Sequence, residues 1–180
     1  MRRDHMYLIL GDITEMDTDA IINPASTDLK PAEGICKAIF MKADTEKLKL
    51  ACRRIGHCSI GQAVVTPAFG LRSKVLIHVA GPGWSSGHLN DREIFQDCYQ
   101  NALYKAYSLG CRTVSLPLMF SGSMHIPRTE ALKLVDEVVS RFEKNYSNMD
   151  IDLVVYRRSI FETARKVLKH RVVIEPEAEN

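Results

Sequence analysis

Residues 23–40, NPASTDLKPAEGICKAIF, set Asn23, Ser26, Thr27 and Gly34 behind the short apolar run Ala20–Ile22 and ahead of residues that turn apolar at helical spacing. A strand that empties into such a loop and then opens a helix presents backbone N–H groups and the positive end of a helix dipole to an anion. The chemistry this favours is holding a negative ligand. Proton transfer is less well provided for: Cys36 offers a neutral thiol, a poor general base beside a carboxylate. The adjacent His57 and Cys58 hint at a metal, yet no second pair at ligand spacing completes a site, so no metal is expected. His78 lies in an apolar strand pattern and reads as a hydrogen-bonded core histidine.

The elements that must position these residues alternate between strand and helix. Tyr7–Leu10 and Ala20–Ile22 predict short buried strands. Ile35, Ala38 and Ile39 open a helix, and Thr45 is expected to cap a further turn carrying Leu48, Ala51 and Cys52. Gln62–Thr66 and Val75–Val79 predict two more strands, joined by a tight turn over residues 68–73. The pattern from Asn90 to Leu109 predicts a long helix, with Asn90 and Glu93 as a loose capping box and Gly110 as its stop. A strand at Thr113–Leu116, a loop at Phe120–Pro127, and a helix with Leu132, Val135, Val138, Val139 and Phe142 on one face come next. Asp152–Tyr156 is expected to be the last strand, and Ser159 with Glu162 to cap the closing helix. Residues 1–170 are expected to form a single α/β domain and the polar residues 171–180 to fray.

Bulk properties narrow the function classes. A chain of 180 residues can bury a core without disulfides or metal, and its 46% hydrophobic and 26% charged residues describe a globular protein. The net charge of +2 is spread along the chain, so no basic stripe points to nucleic acid. No apolar run reaches the roughly 20 residues of a membrane span, and the apolar run within MRRDHMYLIL, with Asp12 following at once, is too short for a signal-peptide core; a cytoplasmic location is expected. Five cysteines without a CxxC pair argue against a disulfide framework.

Four stretches then occur in a recognisable order: LGDIT (10–14), DAIINPAS (19–26), VLIHVAGPGW (75–84) and SLPLMFSG (115–122). Together they resemble a macrodomain, the module that binds ADP-ribose and in some branches hydrolyses it from modified proteins; the resemblance covers residues 6–168. It implies a three-layer α/β/α fold around a central mixed sheet, with no cofactor. Asp12, with the Ile13 backbone beside it, would read the adenine amino group, and Tyr156 would stack on the ring. Arg157 stands where many relatives carry an Asp.

The diphosphate would meet Gly34, Ile35, Ser121 and Gly122, but both phosphate loops depart from the family pattern. The first reads KPAEG where relatives place three or four glycines, and it adds the acidic Glu33. The second continues as Ser123, Met124 and His125 where relatives carry GIYG or GIFG; Met124 could pack on a ribose and His125 could donate to phosphate. Trp84 would pack as a lid.

The resemblance assigns catalysis to a pair of asparagines and an acid. Here Asn23 keeps the first position, Ser26 replaces the second, and Cys36 replaces the acid. That is a pattern similar to a Gram-positive bacterial branch reading GGVCGAIF. The expectation is therefore a module that recognises ADP-ribose or a related nucleotide, with ADP-ribose or an ADP-ribosylated protein as partner and weak or no catalysis. The alternatives are a hydrolase removing ADP-ribose and a protein-interaction domain that has lost nucleotide binding.

Overall fold

The structure, a computed structural model, describes residues 6–82, 90–121 and 126–176. Seven strands form one sheet: β1 (Met6–Leu10), β2 (Ala20–Ala25), β3 (Ala63–Pro67), β4 (Val75–Ala80), β5 (Thr113–Leu116), β6 (Asp150–Val155) and β7 (Val172–Ile174). Their order is β3-β4-β2-β5-β6-β1-β7, with every neighbouring pair parallel except β3 against β4. The sheet is thus mixed, as the resemblance implied.

Among the described residues five α-helices cover it: α1 (Ile35–Lys42), α2 (Thr45–Ile55), α3 (Asp91–Ser108), α4 (Arg128–Asn145) and α5 (Arg158–Val167). The period-two alternation of the strands divides the core between two faces. Ile22, Ile77 and Leu153 pack with Phe95, Tyr99, Val135 and Phe161 from α3, α4 and α5. Ile21, Leu76 and Val154 pack with Ile39, Phe40, Leu48 and Cys52 from α1 and α2. The result is three layers, with the loops after β1, β2, β5 and β6 at the sheet's carboxyl edge.

Several boundaries differ from the sequence reading. β2 runs on to Ala25, so Asn23 and Pro24 belong to the strand and the ligand loop begins at Ser26. Pro24 is tolerated because β2 pairs with β5 only through Ala20 and Ile21, leaving one side without a ladder further on. Asp44, one residue before Thr45, caps α2 by accepting the Lys47 N–H, while the Thr45 hydroxyl donates to the Phe40 carbonyl. Neither Asn90 nor Ser159 makes a side-chain cap; the second lies inside α5, whose N-cap is Arg157.

β6 ends at Val155 rather than Tyr156, and it is not the last strand. The segment expected to fray supplies β7, paired in parallel with β1 through Tyr7–Val172 and Ile9–Ile174. Two β-branched valines and an isoleucine favour the strand, and the buried Arg171 pins its start.

Candidate functional site

A cleft in two halves runs along the carboxyl edge of the sheet. The first half, about 480 Å³, is walled by Gly11, Asp12 and Ile13 after β1, Gly34 and Ile35 at the start of α1, and Tyr156 and Arg157 after β6. The second, about 490 Å³, is walled by Ser26 and Thr27 after β2, Glu33, Phe120 and Ser121. Ile35 and Leu118 line both halves and so mark the junction between them.

Asp12 follows Gly11, whose N–H continues the ladder to the Val155 carbonyl. One carboxylate oxygen, Oδ1, accepts the Thr14 N–H at 2.9 Å and the Thr14 hydroxyl at 2.7 Å, capping the short 3₁₀ turn Ile13–Glu15. The cap therefore occupies only half of the carboxylate. Oδ1 caps the turn, and Oδ2 has no partner among the described residues. The Tyr156 ring is 76% exposed at the rim, free to cover a flat ligand.

A side-chain turn orders the start of the first loop. Asp28 Oδ1 accepts the Ser26 hydroxyl at 2.7 Å and the Lys30 N–H at 3.2 Å, which holds its carboxyl below the usual range. Leu29 takes a φ of 57°, uncommon for a residue with a Cβ, and is only 2% exposed. Burial of the leucine offsets the strain. Gly34 has φ 75° and ψ −133°, which only glycine adopts without strain, and nothing lies within 4 Å of where its Cβ would stand. The backbone there is open to a ligand. Glu33, the anticipated electrostatic obstacle, has an 89% exposed side chain paired with Lys37 at 3.4 Å.

Asn23 lines neither half. It is fully buried beneath the cleft, where its Nδ2 donates to His78 Nδ1 at 2.9 Å and to Cys36 Sγ at 3.6 Å. An amide nitrogen can only donate, so His78 Nδ1 accepts, and its proton sits on Nε2, donating to Thr66 Oγ1 at 2.9 Å. Burial lowers the His78 pKa to about 4, so the ring is neutral at physiological pH. Cys36 also accepts the Ala32 N–H at 3.5 Å, but burial outweighs both donors and raises its pKa. Cys36 is a protonated thiol and not a base. Oδ1 of Asn23 is buried without a partner among the described residues.

Of the anticipated contact residues, Asp12, Ile13, Gly34, Ile35 and Tyr156 gather in the first half, and Ser26 and Ser121 in the second, with Ile35 shared. Gly122, Ser123, Met124, His125 and Trp84 lie outside the described residues. Sequence reasoning missed Leu118 and Phe120. Phe120, at φ 59°, lays its ring against Gly81, where a Cβ would come within 2.3–2.5 Å of three ring atoms. No local pattern pairs those two positions. Among the described residues no cluster of His, Cys, Asp and Glu could hold a metal ion, and no helix is long and apolar enough to cross a membrane.

A cleft outside the carboxyl ends of parallel strands, fronted by a helix N-terminus, defines an α/β ligand-binding domain of the nucleotide-site kind. The Macro domain family model matches residues 22–135, and the chain belongs to that family. A Macro domain-containing protein of Lactiplantibacillus plantarum is 39% identical over 127 residues, 71% of this chain and 73% of the relative. The O-acetyl-ADP-ribose deacetylase of Salmonella newport is 34% identical over 145 residues, 79% of this chain and 81% of that enzyme. The Oceanobacillus iheyensis macrodomain solved with ADP superposes with a TM-score of 0.83 at 27% identity, covering 91% of this chain and 90% of that one.

Proposed function

We propose that this macrodomain binds ADP-ribose, free or attached to a modified protein, with weak or no hydrolysis. The observation that carries the reading is the two-part cleft. Asp12 and an exposed Tyr156 ring occupy one end, Ser26 the other, and the α1 N-terminus opens at Gly34 between them. In this reading adenine meets Asp12 Oδ2 and the Tyr156 ring, the diphosphate meets the first amides of α1, and the distal ribose lies beside Ser26. The O. iheyensis macrodomain with ADP supports the ligand class.

A second reading, ester or ADP-ribosyl hydrolysis, is favoured by the deacetylase relatives. Against efficient catalysis stand a neutral buried thiol at Cys36 and a Ser26 hydroxyl already donated to Asp28. Water held by the ligand's own diphosphate would be the remaining route, and it requires positioning alone.

Calorimetric titration with ADP-ribose tests the reading, with Asp12→Ala and Asp12→Asn as controls. Micromolar binding is expected, lost in both variants. The Asn variant keeps the Thr14 cap on its oxygen but turns an N–H, a second donor, toward the adenine amino donor, which separates recognition from folding. No heat up to millimolar ligand would overturn the proposal.

A further inference from the structure

β5 ends at Leu116, and the chain leaves the sheet to form the wall shared by both halves of the cleft. Backbone groups that leave a ladder need other partners when they stay buried. In this segment one side chain supplies them. The Tyr99 hydroxyl, on α3, donates to the Pro117 carbonyl at 2.7 Å and accepts the Met119 N–H at 2.6 Å. Tyr99 is 0% exposed, its ring packs on Phe95 at a centroid distance of 5.1 Å, and burial raises its pKa, so the hydroxyl stays protonated and able to make both bonds.

The two gripped groups flank Leu118. Pro117 and Met119 are buried and each borders one half of the cleft, Pro117 the first and Met119 the second, while the half-buried Leu118 lines both halves and Phe120 lies in the second against Gly81. The depth at which Leu118 stands in the cleft is therefore set from behind, by one hydroxyl on a rigid helix. A phenyl ring in its place would keep the packing and release both backbone groups, which would have no replacement donor or acceptor in an apolar surrounding.

We propose that Tyr99 is a positioning residue for ligand binding: its hydroxyl fixes the Pro117–Phe120 segment so that the two halves of the cleft align for one ligand spanning both. The proposal rests on the ADP-ribose reading of the site. It predicts an effect graded by ligand reach. AMP, anchored at the Asp12 and Tyr156 end, depends little on the alignment; ADP-ribose, which crosses the junction, depends on it strongly.

The test is titration of the 180-residue protein and its Tyr99→Phe variant with AMP and with ADP-ribose, together with hydrogen exchange at the Met119 amide. In Tyr99→Phe the ADP-ribose Kd should rise about tenfold and the AMP Kd by less than about twofold. Met119 exchange should accelerate while the amides of Phe95 and Ala102 stay protected. An unchanged ADP-ribose Kd, or an equal loss for both ligands, overturns the proposal. Absence of ADP-ribose binding in the unmodified protein would instead sink the functional reading. Should Tyr99→Phe fail to fold, the unmodified protein still decides: ADP-ribose must slow Met119 exchange more than AMP does, and equal effects refute the role.

Discussion

Asn23 and His78 meet at 2.9 Å beneath the ligand loop, Nδ2 to Nδ1, on adjacent parallel strands where the two residues are also register partners. The contact fixes the imidazole tautomer and links β2 through His78 to Thr66 on β3. It also places a titratable group in a site with no room for its charged form.

Stability should therefore depend on pH through His78. Its pKa falls from the ordinary 6.5 to about 4 because burial disfavours the imidazolium. Between those values the unfolded chain binds a proton that the folded chain excludes. The contribution is absent as a penalty above pH 6.5 and grows as pH drops toward 4, to a loss on the order of 3 kcal/mol. Urea unfolding near pH 7 and near pH 4 should show this loss, and the His78→Gln variant should show a flatter profile in the same window. Parallel profiles for the two proteins would refute the assignment.

The Tyr156 ring makes little use of its apolar surface in the free protein. If it stacks on adenine, Tyr156→Ala should weaken ADP-ribose binding by roughly 1–3 kcal/mol, about 5- to 150-fold. Tyr156→Trp should preserve it. Since the side chain is 76% exposed, neither change should move the unfolding midpoint appreciably. Unchanged affinity in the alanine variant would place adenine elsewhere.

Glu33 carries a negative charge on the wall of the second half, but its side chain is well solvated and paired with Lys37. Screening reduces such exposed interactions to less than about 1 kcal/mol. Glu33→Gln should tighten ADP-ribose binding less than fivefold at low ionic strength, and the difference should vanish near 1 M salt. A tenfold or larger gain persisting in high salt would mean that the carboxylate meets the diphosphate directly.

The alternation of strand and helix, the two-faced core and the cleft at the carboxyl edge were legible because each rests on short-range periodicity. That Asp12, Gly34 and Ser26 line the cleft was legible because each ends or opens an element. What stayed hidden depends on contacts between distant segments. Asn23 reads as a loop residue until β4 is seen to pair beside it up to Ala25. Tyr99 sits among apolar residues of α3, and only its need for a buried hydroxyl partner hints at a role; the partners lie 18 and 20 residues away. The glycine-poor first loop gave no sign of the Asp28 turn or of the buried Leu29 at positive φ that order its start.

The C-terminal strand was hidden for a related reason, since a polar tail conceals a single buried cation. Arg171 Nε donates to Asp136 at 2.8 Å, while its terminal nitrogens reach Glu143 at 2.9 Å and the Ser140 hydroxyl at 2.8 Å. The guanidinium side chain is 5% exposed, and both carboxylates belong to α4. Removing the cation alone would leave Glu143 uncompensated and Asp136 with only the exposed His170, whose Nε2 lies 3.1 Å from its Oδ2, so Arg171→Met should cost about 3 kcal/mol in urea unfolding. Adding Asp136→Asn and Glu143→Gln should return most of that loss, because neutral amides need no counter-charge. The ADP-ribose Kd should stay within about twofold throughout. β7 pairs with the outer side of β1, while Asp12 is held by Thr14 and the Val155 ladder on the inner side. Failure of the triple variant to recover would mean that the guanidinium contributes chiefly through packing, by covering the α4 surface with its apolar stem.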